Sequence, residues 1–214
     1  TLKQCLLNVK IYALDVETFW AKGYDMSNGI DAYINSPQFE ITVIAFFNSS
    51  SGFSGDPKNA PVSDLNDAII FAHNAEFDQA CVEKAIELGQ LPPFKPKQWI
   101  CTMGMAKYCG LPGSLSKVAG ILLGQELSKE KREEAKGWTK EECLADKGFV
   151  TYCRDDASSC YWIADTLMSR YPAFEERVAR LTRDFARYGI AYNSEKAGVA
   201  VEALEGDLIR LENK

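Results

Sequence analysis

Apolar positions follow two rhythms, short unbroken runs in the first half of the chain and a period near 3.6 in the second, so strands are expected early and helices late. Val9 to Val16 is mostly β-branched or apolar and predicts a largely buried strand, closed by Asp15 and Glu17. Polar Asp25 to Pro37 predicts a loop, Phe39 to Phe47 a second strand, and Phe53 a short edge strand within turn-rich Asn48 to Gly55. The apolar run in Asp67 to Ala72 predicts a third strand. It feeds a helix with Phe77, Ala80, Cys81, Ala85 and Leu88 on one face and Gly89 as its stop.

Pro92, Pro93 and Pro96 force a loop before Trp99 to Thr102, a short strand running into a helix that ends near Gly110. Ser114 opens the next helix, to about Leu123, and Phe149 to Met168 is strongly helical beyond the charged stretch Gly124 to Lys147. Pro172 starts a helix on which Arg177, Arg180, Arg183 and Arg187 share one side; Gly189 breaks it, and Ser194 caps a last helix to about Asn213. The class is α/β, with a mixed, mostly parallel sheet flanked by helices.

The 214 residues suit one α/β domain with a short appendage, and no apolar run approaches the ~18 to 20 residues of a membrane span, so a soluble chain is expected. A net charge of −6 excludes nucleic-acid binding through a general positive surface; any such site must be local. Seven cysteines without a C-x-x-C pair support neither a disulfide framework nor a zinc knuckle, and fit a reducing, intracellular setting. A single histidine, His73, removes two-histidine metal sites and leaves carboxylate chemistry. Thr1 in the place of Met suggests a trimmed or excised chain.

Three clusters remain. Asp15-Val16-Glu17 sits at a strand end, where a period of two points both carboxylates to one side. Such a triplet arises about once by chance in this composition, so it is informative only in company. Asn74 and Asp78 are four apart at the start of a helix, readable as a site or as an N-cap and a solvated residue; Tyr152 and Asp156 are four apart on a late helix, with Asp155 about 100° away.

In this order and spacing the clusters resemble the 3′–5′ exonucleases of the DEDD group, in the tyrosine subtype found as the proofreading domain of family A DNA polymerases. The similarity covers about Val9 to Leu167 and implies a ribonuclease-H-like sheet with a C-terminal helical extension. Trp99 to Leu115 looks like the phage-type polymerases, with Cys101 where Asp is expected; Arg187 to Ala197 resembles the junction to the polymerase domain, with Asn193 where Asp is usual. The implied division is an exonuclease domain over 1–188 and the start of a polymerase domain over 189–214. The chain would be an excised proofreading domain or a separately encoded exonuclease.

The resemblance implies Asp15, Glu17, Asp78 and Asp156 as ligands of two Mg2+ or Mn2+ ions, with Asp15 bridging and Tyr152 orienting the attacking water. Thr18, Phe19, His73, Asn74 and Lys136 are the expected substrate contacts, Phe19 by stacking on or wedging a terminal base and Lys136 from the charged run Ser128 to Lys140. His73 to Asp78 also spells the histidine-subtype signature, but Asp78 is already needed in the second motif and the late helix offers only tyrosine. Implied partners are single-stranded or frayed DNA 3′ ends and a polymerase domain, fused or separate, in the cytoplasm of a phage-infected or bacterial cell. An exoribonuclease of the same fold, and a nonenzymatic module that positions DNA or a polymerase, are the alternatives.

Overall fold

In the computed structural model, which describes residues 1–7, 9–128, 130–189 and 193–212, the elements run α1 (Leu2–Cys5), β1 (Ile11–Thr18), α2 (Ile30–Ile34), β2 (Ile41–Phe47), β3 (Gly52–Gly55), β4 (Ile69–Ala72), α3 (Ala75–Glu87), β5 (Gln98–Cys101), α4 (Thr102–Tyr108), α5 (Leu115–Leu123), α6 (Glu130–Glu134), α7 (Lys140–Ala145), α8 (Lys147–Leu167), α9 (Ala173–Tyr188) and α10 (Ser194–Glu212). The strands form one sheet in the order β3-β2-β1-β4-β5. β1 pairs antiparallel with β2 and β2 with β3, whereas β1–β4 and β4–β5 are parallel. The sheet is therefore mixed in equal parts rather than mostly parallel: a short turn at Asn48 to Ser51 makes β2 and β3 a hairpin, the excursion through α2 returns β2 antiparallel to β1, and crossovers bring β4 and β5 in parallel.

Alternation along β1 sends its side chains to two different cores. Tyr12, Leu14 and Val16 join Ile44, Phe46, Ile70 and the apolar side of α3, while Ala13 faces the other way, toward the layer that holds Phe71, Ile100, Met105 and the Cys160, Ile163 and Leu167 side of α8. Val43 and Ala45 of β2 meet the first half of α8 through Phe149, Cys153 and Ala157. Asp15 and Glu17 share the parity of Ala13, so the strand's period of two points both at α8. α8 starts where Asp146 accepts the Phe149 amide at 2.8 Å, and its 21 residues cross the sheet.

Some local expectations change. The strand does not close at Val16 but runs to Thr18, with a register irregularity between Glu17 and Thr18. Asp25 to Pro37 is not a plain loop: it contains a 3-10 turn and α2, pinned by stacked Tyr24 and Tyr33 rings 4.6 Å apart. Leu88 is half exposed beyond the last turn of α3 rather than on its buried face. Gly124 to Lys147 holds α6 and α7, and the Asn193 carboxamide, not Ser194, caps α10 by accepting the Lys196 amide at 2.9 Å. Lys129, Asn213 and 190–192 lie outside the described residues.

Thr1–Arg180 forms one compact unit and Leu181–Lys214 a second, so the division falls inside α9. α9 shows exposed Phe174, Val178, Leu181 and Phe185 besides its arginines, and α10 shows Val201, Leu204, Leu208 and Leu211. No helix among the described residues is long and apolar enough to cross a membrane.

Candidate active site

Above the α8 face of β1 lies a cavity of about 330 Å³ lined by Asp15, Val16, Glu17, Thr18, Met26, His73, Asn74, Phe77, Asp78, Leu115, Arg132, Tyr152 and Asp156. The three clusters of the sequence thus converge on one space. Strand alternation delivers Asp15 and Glu17, the start of α3 delivers Asn74 and Asp78, and an i, i+4 pair on α8 delivers Tyr152 and Asp156.

Carboxylate oxygens of Asp15, Glu17 and Asp156 lie within 4.8 Å of one another, a group that could hold a metal ion. All its donors are hard oxygens, the set that suits Mg2+ or Mn2+ and not a soft-metal site. Asp78 stands outside that trio but is only 4% exposed and adds to the negative potential around Asp15. Its burial discards the reading of Asp78 as a solvated residue. Asn74 occupies the N-cap position of α3 without a side-chain capping bond, and its exposed carboxamide faces the cavity instead. Asp155 points outward to Arg154.

Burial dominates the electrostatics. Loss of water pushes Asp15 up to about 6, an effect that the Cys153 thiol and the Arg132 charge partly offset. Asp156 rises to about 8 through burial and the nearby Asp15, although the Tyr152 hydroxyl favours its ionised form. Glu17 and Asp78 are raised well above the usual carboxylate range, first by burial and then by Asp15. Tyr152 is raised too, by burial and by the Glu17, Asp156 and Asp15 charges, so it stays a neutral phenol. Several carboxylates crowded together in a buried space form an arrangement that added positive charge relieves.

Two expected substrate contacts fall elsewhere. Phe19 does not line the cavity: its ring stacks with Tyr24 at 6.0 Å, and its carbonyl accepts the Tyr33 hydroxyl at 2.6 Å. With the Tyr33 hydrogen committed there, Thr18 donates its own to Tyr33 across 2.6 Å. Lys136 sits 4.8 Å over the Trp20 ring and is not part of the cavity lining. Local contacts hold both away from the cavity, Phe19 in an aromatic stack and Lys136 in a cation–π contact.

His73 lines the cavity with both ring nitrogens occupied. Nε2 donates to the Gly113 carbonyl at 3.0 Å, so Nδ1, held neutral by burial, accepts from Thr102 Oγ1 at 3.0 Å. Cys160 Sγ is 3.3 Å from the same hydroxyl, which ties α8, α4 and the loop before α5 to the base of α3. Cys101, where the resemblance leads one to expect Asp, is buried at the end of β5 away from the cavity lining.

Arg132, Met26, Phe77 and Leu115 complete the lining without having been singled out. Arg132 gave only a charged-run signal, Phe77 reads as part of a packing face, and Met26 and Leu115 carry no chemical signal of their own.

No protein-family model and no curated protein matches the sequence. Among solved structures the chain is similar to the catalytic core of RRP6 from Trypanosoma brucei, at 17% identity and a TM-score of 0.54 over 78% of this chain; it spans 44% of that chain. It is also similar to Brucella melitensis NrnC with bound Mg2+, at 14% identity and a TM-score of 0.54 over 83% of this chain and 82% of that one. Trypanosoma brucei RNase D follows at 15% identity and 0.51, over 78% and 61%. At these identities the likeness establishes the fold, a ribonuclease-H-like mixed sheet flanked by helices.

Proposed function

We propose that the chain is a metal-dependent 3′–5′ exonuclease that releases 5′-mononucleotides from a single strand. The observation that carries this reading is the convergence of Asp15, Glu17 and Asp156 within 4.8 Å, with Asp78 and Tyr152 in the same cavity. A set of buried, mutually repelling carboxylates has no packing use, and a purely nonenzymatic module beside a polyanion would gain nothing from it. Asp15, Glu17 and Asp156 would hold one divalent ion, and Asp15 with Asp78 a second. When bound, such ions lower the pKa of a water and offset charge on the leaving oxygen.

The protein's own groups supply orientation. Tyr152, kept protonated by its surroundings, aligns the attacking water by hydrogen bonding and does not act as the base. Met26, Phe77 and Leu115 form the apolar wall against which the terminal base rests, in the role expected of Phe19. Thr18 and Asn74 offer polar edges to the terminal nucleotide.

DNA as substrate, in proofreading beside a polymerase domain, is supported by the resemblance of Trp99 to Leu115 and Arg187 to Ala197 to phage-type polymerases. An exoribonuclease is the second reading, supported by neighbours of which one is by name an RNase. Single-stranded DNA and RNA labelled at the 5′ end, incubated with Mg2+, Mn2+ or chelator, separate them. A metal-dependent descending ladder from DNA is the expected result, and faster cleavage of RNA selects the second reading. Immediate release of a labelled 5′-mononucleotide, or no hydrolysis of either strand, refutes the proposal.

A further inference from the structure

We infer that Arg132 is the residue that grips the phosphate of the strand's last internucleotide linkage; the inference rests on the exonuclease reading. Most cations of the charged run on and around α6 are already engaged. Lys131 pairs with Glu134 at 2.8 Å and Asp146 at 3.6 Å, Lys140 pairs with Asp56 at 2.7 Å, and Lys136 lies over Trp20. Among the described cations of this run, Arg132 has neither an ion pair nor a ring contact, and it alone lines the cavity.

Its placement is built, not incidental. Ala135, one turn on, is buried beneath the segment with Val43, Cys143 and Phe149, and the Gly137 amide donates to the Trp20 carbonyl at 2.8 Å. These anchors hold α6 against the β1 end of the site. The exposed guanidinium is near enough to draw Asp15, Glu17 and Asp156 toward their ionised forms, yet it makes no ion pair with any of them. Its planar fork of N–H donors is thus available, and its geometry matches two oxygens of a phosphate. On a protein of net charge −6, a strand led to four carboxylates needs a local cation, and Arg132 provides it.

The test measures binding of a dye-labelled single-stranded oligonucleotide by anisotropy across a salt series, with Ca2+ replacing Mg2+ to hold back turnover. Arg132→Ala should weaken binding about 10-fold near 0.1 M salt and reduce the slope of log affinity against log salt by about 0.7, the value for one phosphate contact on a single strand. Arg132→Lys should keep the slope and recover only part of the affinity. A methylphosphonate at the 3′-terminal linkage should cost wild type more than Arg132→Ala, because only wild type has the contact to lose. Melting temperatures should match in all three proteins. An unchanged slope in Arg132→Ala, or an equal methylphosphonate penalty in both, overturns the role of Arg132 while leaving the exonuclease reading standing. Wild type that neither binds nor hydrolyses the strand overturns both.

Discussion

The Cys153 thiol of α8 lies 3.5 Å from Asp15 Oδ2 and 3.8 Å from the Asp15 carbonyl oxygen on β1, a direct link between helix and strand at the centre of the carboxylate cluster. Burial and three neighbouring carboxylates push the thiol well above its ordinary pKa, so it acts only as a donor. Cys153→Ala should lower the hydrolysis rate by about 3- to 10-fold through loss of Asp15 orientation, at the scale of one weak hydrogen bond. Cys153→Ser should restore most of it. In folded protein, Cys153 should resist alkylation at pH 8, and rapid labelling there would contradict its placement.

Asp15→Ala and Asp156→Ala should each reduce hydrolysis by more than about 1000-fold, since each removes a proposed metal ligand. Neither should lower the melting temperature in chelator, because the removed carboxylate repels its neighbours. Activity above a tenth of wild type in both would remove the metal assignment.

The raised carboxylates make metal-free stability fall with pH. Asp15 and Asp156, ordinarily near 3.8, titrate near 6 and 8 in the folded protein. Between these values the native state holds protons that the unfolded chain has released, so their contribution is fully present below about pH 4 and is lost as pH rises through 6 to 8. Melting in chelator should therefore be lower at pH 8.5 than at pH 5.5, by roughly 5 °C or more for a domain of this size. Asp156→Asn should flatten the trend, and Mg2+ should stabilise wild type more at pH 8.5 than at pH 5.5.

Tyr152→Phe removes only the hydroxyl and should slow hydrolysis about 10- to 1000-fold with strand affinity little changed. His73→Ala should behave in the opposite way. Loss of its two bonds to Thr102 and Gly113 should cost about 1–3 kcal/mol of stability, with a smaller effect on rate. Single-turnover rates and thermal melts of both variants check this; a crippled His73→Ala of normal stability would assign the proton-handling role to His73 instead.

Covalent periodicity alone sets the local faces of this chain. A step of two along β1 places Asp15 and Glu17 on one side, and a step of four along α8 does the same for Tyr152 and Asp156, whatever the rest of the chain does. Residues 98–101 and 115–123 were legible for the same reason, their punctuation by proline, serine and glycine being local. Tertiary structure decided which of these faces meet, and in which direction the strands pair. It buried Asp78, which taken alone reads more readily as a solvated helix residue. It gave Phe19 to Tyr24 and Lys136 to Trp20, and turned Arg132, one cation among several in a charged run, into part of the cavity wall. Those choices depend on contacts between residues tens of positions apart, whose energies come from packing and desolvation in three dimensions and leave no period along the chain.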